Sequence, residues 1–289
     1  MTPIQKKYGI SGSTLKMIAI ITMFIDHLGA TVLRAITRLP AVTSDPSLSV
    51  IWTDTYNASR DIGRIAFPIF CFFIVEGFCH TRNVWKYAGR LFLFSFISEI
   101  PFDIALKGSW YYPSKQNVYF TLLIGLLVII GMSYCDKACH YVKHFLQSRF
   151  SKTSSASSQT SAGTSADTSA YTSDCTSYAE ILCMIVSLVC SFLVLSAGME
   201  LANYINTDYN YKGVFLIAVL YLTKHTRLFQ CITGAVGVSW ELPAPIAFIP
   251  VYLYNGTRGR QMKYFFYWFY PVHLMLLYAV TTYIIPVFQ

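Results

Sequence analysis

Two side chains that seldom stand in apolar sequence sit next to each other in MFIDHLGATVLR: Asp26 and His27. An imidazole takes and returns protons near neutral pH, and a carboxylate beside it can fix which ring nitrogen carries the proton. The pair therefore reads as a general base with an orienting carboxylate, or as a buried ion pair that holds helices together. His27, Thr31 and Arg34 recur at i, i+4 and i+7, a spacing that lines an imidazole, a hydroxyl and a guanidinium along one helical face. A second imidazole, His273, stands beside Tyr270 and Pro271 in the apolar run FYPVHLMLLY. Ionisable groups at membrane depth are costly, and two imidazoles there point to proton handling.

Other polar groups recur in the same kind of setting. RIAFPIFCFFIVEGF opens on Arg64, kinks at Pro68 and closes near Glu76. Arg64 is placed to bind a carboxylate, to stabilise an oxyanion or to snorkel to the membrane surface. Glu76 lines an entrance or pairs with a basic loop. In RLFLFSFISEIPFDIAL, Ser95, Glu99 and Asp103 share a face, as partners for Arg34 and Arg64 or as acceptors for an incoming amine. Asn117 in NVYFTL can cap a helix or donate to an oxyanion, and Asp208 and Tyr209 follow in DYNYKG. YNGTRGR joins Asn255 and Gly256 to Arg258 and Arg260, a phosphate cradle or a tight turn with basic flanks. Arg82 and Lys86 add basic charge to another short loop. CDKACHYVKH has spacings a zinc site can use, but on an amphipathic helix the same residues form an interfacial stripe, and no metal is expected.

These groups need helices to hold them in an apolar medium. The chain has 289 residues, of which 54% are hydrophobic and 12% charged, against roughly 25% charged in soluble domains. Apolar runs of about 20 residues match a hydrocarbon core of about 30 Å, and they lack the alternation of barrel strands. The expected fold is an all-α polytopic bundle with nine spans, at 14–37, 62–79, 84–106, 117–134, 180–201, 213–223, 228–240, 244–254 and 264–287. The two short segments at 228–240 and 244–254 also suit a re-entrant pair or one broken helix. Basic residues concentrate in alternate loops, which predicts a cytoplasmic N-terminus in the plasma membrane. The net charge of +8 follows from that bias and is not a nucleic-acid patch. No cleavable leader is expected, and all eight cysteines fall in spans or inner loops, so no structural disulfide is expected. Residues 151–178, rich in Ser, Thr and Ala, predict a disordered cytoplasmic linker inside a single domain.

Six motifs in order, LKMIAIITMFIDHLG, FPIFCFFIVEGF, NVYFTL, DYNYKG, YNGTRGR and FYPVHL, resemble the TraX family. Its archetype is a conjugation-associated membrane protein that N-acetylates pilin subunits. The family is similar to a wider group of transmembrane acyltransferases that take acyl-coenzyme A from the cytoplasm. The resemblance points to Asp26, His27, Arg64, Pro68, Glu76, Asn117, Thr121, Asp208, Asn255, Gly256, Arg258 and His273. It implies acetyl-coenzyme A as donor and an amine or hydroxyl acceptor, such as a pilin N-terminus or a surface glycan.

Taken together, the expected reaction has His27, oriented by Asp26, deprotonate the acceptor as it attacks the thioester, with Asn117 or Arg64 holding the oxyanion. Arg82, Lys86, Asn255, Gly256, Arg258 and Arg260 would dock the nucleotide end of the donor. Glu76, Glu99, Asp103, Asp208 and His273 would line the substrate path. A proton-coupled transporter would bury similar groups, but no repeat relates the two halves of the chain as such folds require. A non-catalytic scaffold of a conjugation or surface-assembly complex would not need so many intramembrane ionisable groups.

Overall fold

A computed structural model of the chain describes residues 9–157, 165–260 and 263–288. Helix α1 (Gly12–Leu28) starts where the Ser11 hydroxyl accepts the Thr14 amide at 3.2 Å, satisfying one of the free amides of the first turn. It runs on through a π turn, Gly29–Leu33, and a last α turn, Arg34–Ile36. Helix α2 (Pro46–Gly63) starts at Asp45, whose carboxylate accepts the Ser47 and Leu48 amides at 2.8 and 3.3 Å. After the turn at Arg64 and Ile65 comes α3 (Ala66–His80). Asn83 caps α4 (Val84–Lys107) by accepting the Lys86 amide at 2.9 Å. Two long helices follow, α5 (Val118–Ser157) and α6 (Ser165–Tyr204). Then come three short ones, α7 (Asn210–Leu222), α8 (Arg227–Gly237) and α9 (Phe248–Leu253). The last, α10 (Lys263–Ala279), runs into a second π turn, Val280–Ile284. Among the described residues there is no β-strand, only isolated bridges at Ile10 with Tyr254 and Gln116 with Thr207.

The chain is a multi-pass helical membrane protein, but the span count differs from the nine that hydropathy predicts. Among the described residues, five helical runs are long and apolar enough to cross a bilayer: Gly12–Ile36, Pro46–His80, Val118–Phe145, Glu180–Tyr204 and Tyr264–Val287. The predicted spans at 213–223 and 228–240 are helices of 13 and 11 residues, and 244–254 is a 3-10 turn of 4 residues running into a helix of 6. At 1.5 Å per residue even the longest reaches only about 20 Å. In α7 most apolar residues serve protein burial, whereas Leu228, Phe229, Ile232 and Val236 of α8 are exposed. Val214, Leu216, Ile217, Ala218 and Leu220 of α7 are all buried, as expected of a short helix that is apolar on every side. Helix α4 is long enough, but it carries Lys86, Arg90, Glu99, Asp103 and Lys107 and is not among the five. Residues 46–63, predicted as part of an outer loop, form α2 and join α3 in the 35-residue run Pro46–His80.

The chain divides into two compact units, Val128–Gly198 and the remainder. In the first, the Ser187 hydroxyl donates to Asp136 at 3.0 Å and Lys143 pairs with Glu180 at 3.0 Å. Of the segment predicted as a linker, 158–164 lie outside the described residues, and the backbone on either side continues α5 and α6 as helix.

The second unit holds the groups of chemical interest. Ile20 and Met23 of α1, Ala66 of α3, Phe102 of α4, and Tyr270 and Leu274 of α10 share one buried cluster, so three neighbouring helices fix the middle of α1. Helices α1 and α2 approach closely through small residues, a common contact in membrane bundles. A methyl group on Gly29 would strike the Ser59 hydroxyl, and one on Gly63 would strike the Asp26 carboxylate.

Candidate functional site

His27 on α1 and His273 on α10 are both buried, at 9% and 4% exposure. Nδ1 of His27 lies 2.7 Å from Nε2 of His273. The ring planes are 23° apart and the centroids 4.9 Å apart, which is close to the N···N distance plus two ring radii, so the rings meet edge to edge. Nδ1 of His273 lies 2.6 Å from the Phe269 carbonyl. A carbonyl can only accept, so in neutral rings the proton positions follow in sequence. His273 donates from Nδ1 to Phe269, its Nε2 accepts from Nδ1–H of His27, and Nε2 of His27 carries the remaining lone pair. Tyr270 packs edge-on against His27 at 5.6 Å, and Phe24 and Phe269 flank His273.

Asp26 does not orient His27, contrary to the sequence expectation. Consecutive helical residues point about 100° apart, and the Asp26 carboxylate turns instead to Arg60 of α2. Oδ2 of Asp26 and the guanidinium are 2.8 Å apart, and the same guanidinium donates to the Asp26 carbonyl at 3.3 Å. Oδ1 of Asp26 is buried without a protein partner. Arg64 pairs with Glu241 at 2.6 Å and with the Tyr209 hydroxyl, while Tyr209 stacks on Phe67 at 3.4 Å. Lys115 pairs with Asp208 at 2.8 Å. Arg64 and Asp208 both act electrostatically on Asp26, so these ion pairs form one charged rim beside the imidazoles.

Glu241, in the turn after α8, shows what such a pair contributes. Burial holds its carboxyl above the usual carboxylate range, although Arg64 pulls the other way. A folded-state value above the unfolded one means that the fold binds this proton more tightly. Its stabilising share is therefore complete below the ordinary carboxylate range and is lost as pH rises through the raised value. The expected result is that Glu241→Gln leaves the melting temperature at pH 7 unchanged or higher, and narrows the difference between pH 5 and pH 7. A clear drop in melting temperature at pH 7 would show that the ion pair outweighs its desolvation.

Asn117 is a cap, and both protons of its amide are engaged. Nδ2 donates to the Ser95 carbonyl at 2.7 Å and to Oε2 of Glu99 at 2.5 Å, while Oδ1 accepts the Tyr119 amide at 2.9 Å. The side chain has no donor left for an oxyanion, which corrects the role predicted for it. Glu99 and Asp103 do not pair with Arg34 or Arg64. Glu99 holds Asn117, and Oδ2 of Asp103 accepts the Tyr112 amide at 2.7 Å. Asn117→Ala should therefore lower stability by about 1–2 kcal/mol in chemical denaturation while leaving the turnover of folded molecules within about twofold. A rate loss without a stability loss would restore Asn117 to the chemistry.

At the end of the bundle where α1 begins, YNGTRGR is not an open cradle. The Thr257 and Arg258 carbonyls accept the Gly12 and Ser13 amides at 2.7 and 3.1 Å, and the Arg260 amide donates to the Ser13 hydroxyl at 3.1 Å. Asn255 donates to the Gly9 carbonyl at 3.2 Å and accepts from Thr257. Gly259 has φ +64° and lies against the Ser11 and Ser13 hydroxyls, where a side chain would not fit. Asn255 and Gly256 thus shape a loop that closes the first helix, and Arg258 and Arg260 project from it. Arg82 and Lys86 stand exposed at the start of α4. Glu76 faces Arg227 at 3.7 Å and accepts from the Tyr254 hydroxyl.

Residues 11–151 and 180–281 match the family described as TraX protein. The chain belongs to the TraX family. The matched stretches contain both imidazoles, and they leave out most of the Ser/Thr/Ala-rich segment. Over 288 residues the TraX chain is 28% identical to the probable fimbrial assembly protein FimC, serogroup H1, of Dichelobacter nodosus, covering 94% of this chain and 96% of the relative. No solved structure matches it.

Within the TraX fold, the structure brings Asp26, His27, Arg64, Asp208 and His273 together. It sets Glu76, Asn255, Gly256, Arg258 and Arg260 at the opposite end of α1, which is about 24 Å from Ser11 to His27. Arg60, Glu241 and Arg227 are the partners that sequence reasoning missed. Each pairs with a residue 34 or more positions away, and Arg60 lies in a stretch polar enough to read as a loop.

Proposed function

We propose that this TraX protein transfers an acetyl or other acyl group from acyl-coenzyme A to an amine or hydroxyl acceptor, such as a protein N-terminus or a surface glycan. The observation that carries this is the buried His27–His273 pair, whose forced proton order leaves a lone pair on Nε2 of His27. That nitrogen takes the acceptor's proton as the acceptor's nitrogen or oxygen bonds to the thioester carbonyl carbon. Arg64, held by Glu241 and Tyr209, still has free N–H groups for the oxyanion. Collapse of the tetrahedral adduct breaks the C–S bond, and the proton on His27 passes to the leaving thiolate. FimC, by its name, serves fimbrial assembly, which suits a protein acceptor.

The proposed setting is the plasma membrane with the N-terminus in the cytoplasm. The donor then enters at the basic end of the bundle, and the acceptor is reached from the opposite end, beside the charged rim. The test is radiolabelled acetyl-coenzyme A supplied to purified protein with peptide N-termini and sugars. Acceptor labelling or acceptor-dependent thiol release is expected; neither, from a folded sample across both acceptor classes, would overturn acyl transfer.

A further inference from the structure

Tyr270 of α10 completes a triangle of rings with the two imidazoles. Its centroid lies 5.6 Å from that of His27 and 5.7 Å from that of His273, and its plane is turned 68° and 69° from theirs. Tyr119, at the start of α5, meets it edge-on at 5.3 Å, and the Asn117 cap holds Tyr119 through its amide. Ile20, Met23, Ala66, Phe102 and Leu274 close the remaining sides, so the ring is fixed by five elements and almost wholly buried. A phenylalanine would fill this space equally well. Packing leaves the hydroxyl unexplained, because among the described residues it has no hydrogen-bond partner. A buried tyrosine hydroxyl usually finds one, and leaving it unpaired costs stability. The charged and polar groups that act on this hydroxyl are Asp208, Tyr119, Glu99 and Tyr209. Asp208 and Tyr209 belong to the charged rim, and Tyr209 carries the hydrogen bond to Arg64. The phenol therefore faces the side of the imidazoles on which Arg64 lies.

We propose that Tyr270 is a catalytic residue, whose O–H donates to the oxygen of the tetrahedral adduct as a second donor beside Arg64. The assignment rests on the acyl transfer proposed above. As the acceptor bonds to the thioester carbon, an electron pair of the carbonyl moves onto its oxygen, and the Tyr270 hydroxyl and an Arg64 N–H hydrogen-bond to that oxyanion. No proton leaves the phenol. On collapse the pair re-forms the carbonyl, the C–S bond breaks, and the thiolate takes the proton held by His27. A donor clamped by packing needs no reorganisation as the charge develops, and with little water nearby each such bond counts for more than it does in solution. The partner that the fold does not supply to this hydroxyl arrives with the reaction.

The test is steady-state acetyl transfer from acetyl-coenzyme A by the full chain in nanodiscs, to the peptide N-termini or sugars that the wild type labels. Wild type is compared with Tyr270→Phe and with a chain carrying 3-fluorotyrosine at position 270. Removing one oxyanion donor costs 10²–10³ in kcat, so Tyr270→Phe should fall about a hundredfold with KM within about twofold. Its melting temperature should be unchanged or higher, since the ring stays and an unpaired buried hydroxyl goes. Fluorine makes the phenol a stronger donor at nearly the same shape, so kcat should rise about twofold; a ring that only packs would leave it unmoved. Wild-type kcat in Tyr270→Phe, or a loss confined to KM, would overturn the assignment and leave acyl transfer standing. If Tyr270→Phe melts earlier, the fluorinated chain decides, and its unchanged kcat would overturn the assignment in the same way. No transfer by the folded wild type to either acceptor class would overturn the reaction itself, and the role of Tyr270 with it.

Discussion

His27→Gln is expected to lower acyl transfer by about three orders of magnitude, within the 10²–10⁴ that a positioned general base contributes, at an unchanged melting temperature. Glutamine keeps a polar group near His273 but offers no nitrogen that can take a proton at neutral pH. His273→Ala should cost less, about tenfold to a hundredfold. It removes the acceptor that holds the His27 proton on Nδ1, so part of the His27 population carries its proton on Nε2 and is inert. Asp26→Asn separates the two possible orienting groups. If His273 sets the tautomer, as the 2.7 Å contact indicates, Asp26→Asn changes stability more than rate. If Asp26→Asn shifts the pH–rate profile at unchanged stability, the carboxylate is the orienting group after all. A folded His27→Gln protein with wild-type turnover would remove the mechanism.

The second large effect is structural. Arg60→Leu leaves the Asp26 carboxylate with neither oxygen paired, since Oδ1 already lacks a protein partner. Removing one member of a buried pair costs about 3–5 kcal/mol. The Arg60 and Asp26 side chains are 26% and 18% exposed, so the expected loss lies at the lower end, about 3 kcal/mol. Combining Arg60→Leu with Asp26→Leu should recover most of it, because the orphaned charge goes with its partner. The coupling between the two substitutions, measured by denaturant unfolding in a fixed micelle, checks this. Additive losses would show that Arg60 acts through packing alone.

The residues that were legible in the sequence owe it to hydropathy. His27 and His273 stand out because the runs around them are apolar, and the same contrast marks Asp26 and Arg64. Partners were not legible. Arg60 lies in a segment polar enough to pass for a loop, so the helix that delivers it to Asp26 was missed together with the pair. Asn117 has two plausible roles in any sequence, and only the contacts to Ser95, Glu99 and Tyr119 show that its donors are occupied. The short helix α7 reads as a span because an apolar residue buried against protein, as Leu216 and Ile217 are, has the same hydropathy as one facing lipid. YNGTRGR suggested phosphate because glycine and arginine often do, whereas the serines that occupy its glycine turn stand at the far end of the chain.

That loop bears on how the protein is made. The amides of Gly12 and Ser13 find their carbonyls on Thr257 and Arg258, and Asn255 reaches back to Gly9 across 246 positions. During synthesis the first helix enters the bilayer long before these partners leave the ribosome. Its leading turn must keep water or lipid headgroups on those amides until almost the whole chain has been translated. Closure of the loop over Ser11 and Ser13 is thus a late step in assembly, and a chain that stops short of residue 257 would insert its helices while leaving the first of them unlatched.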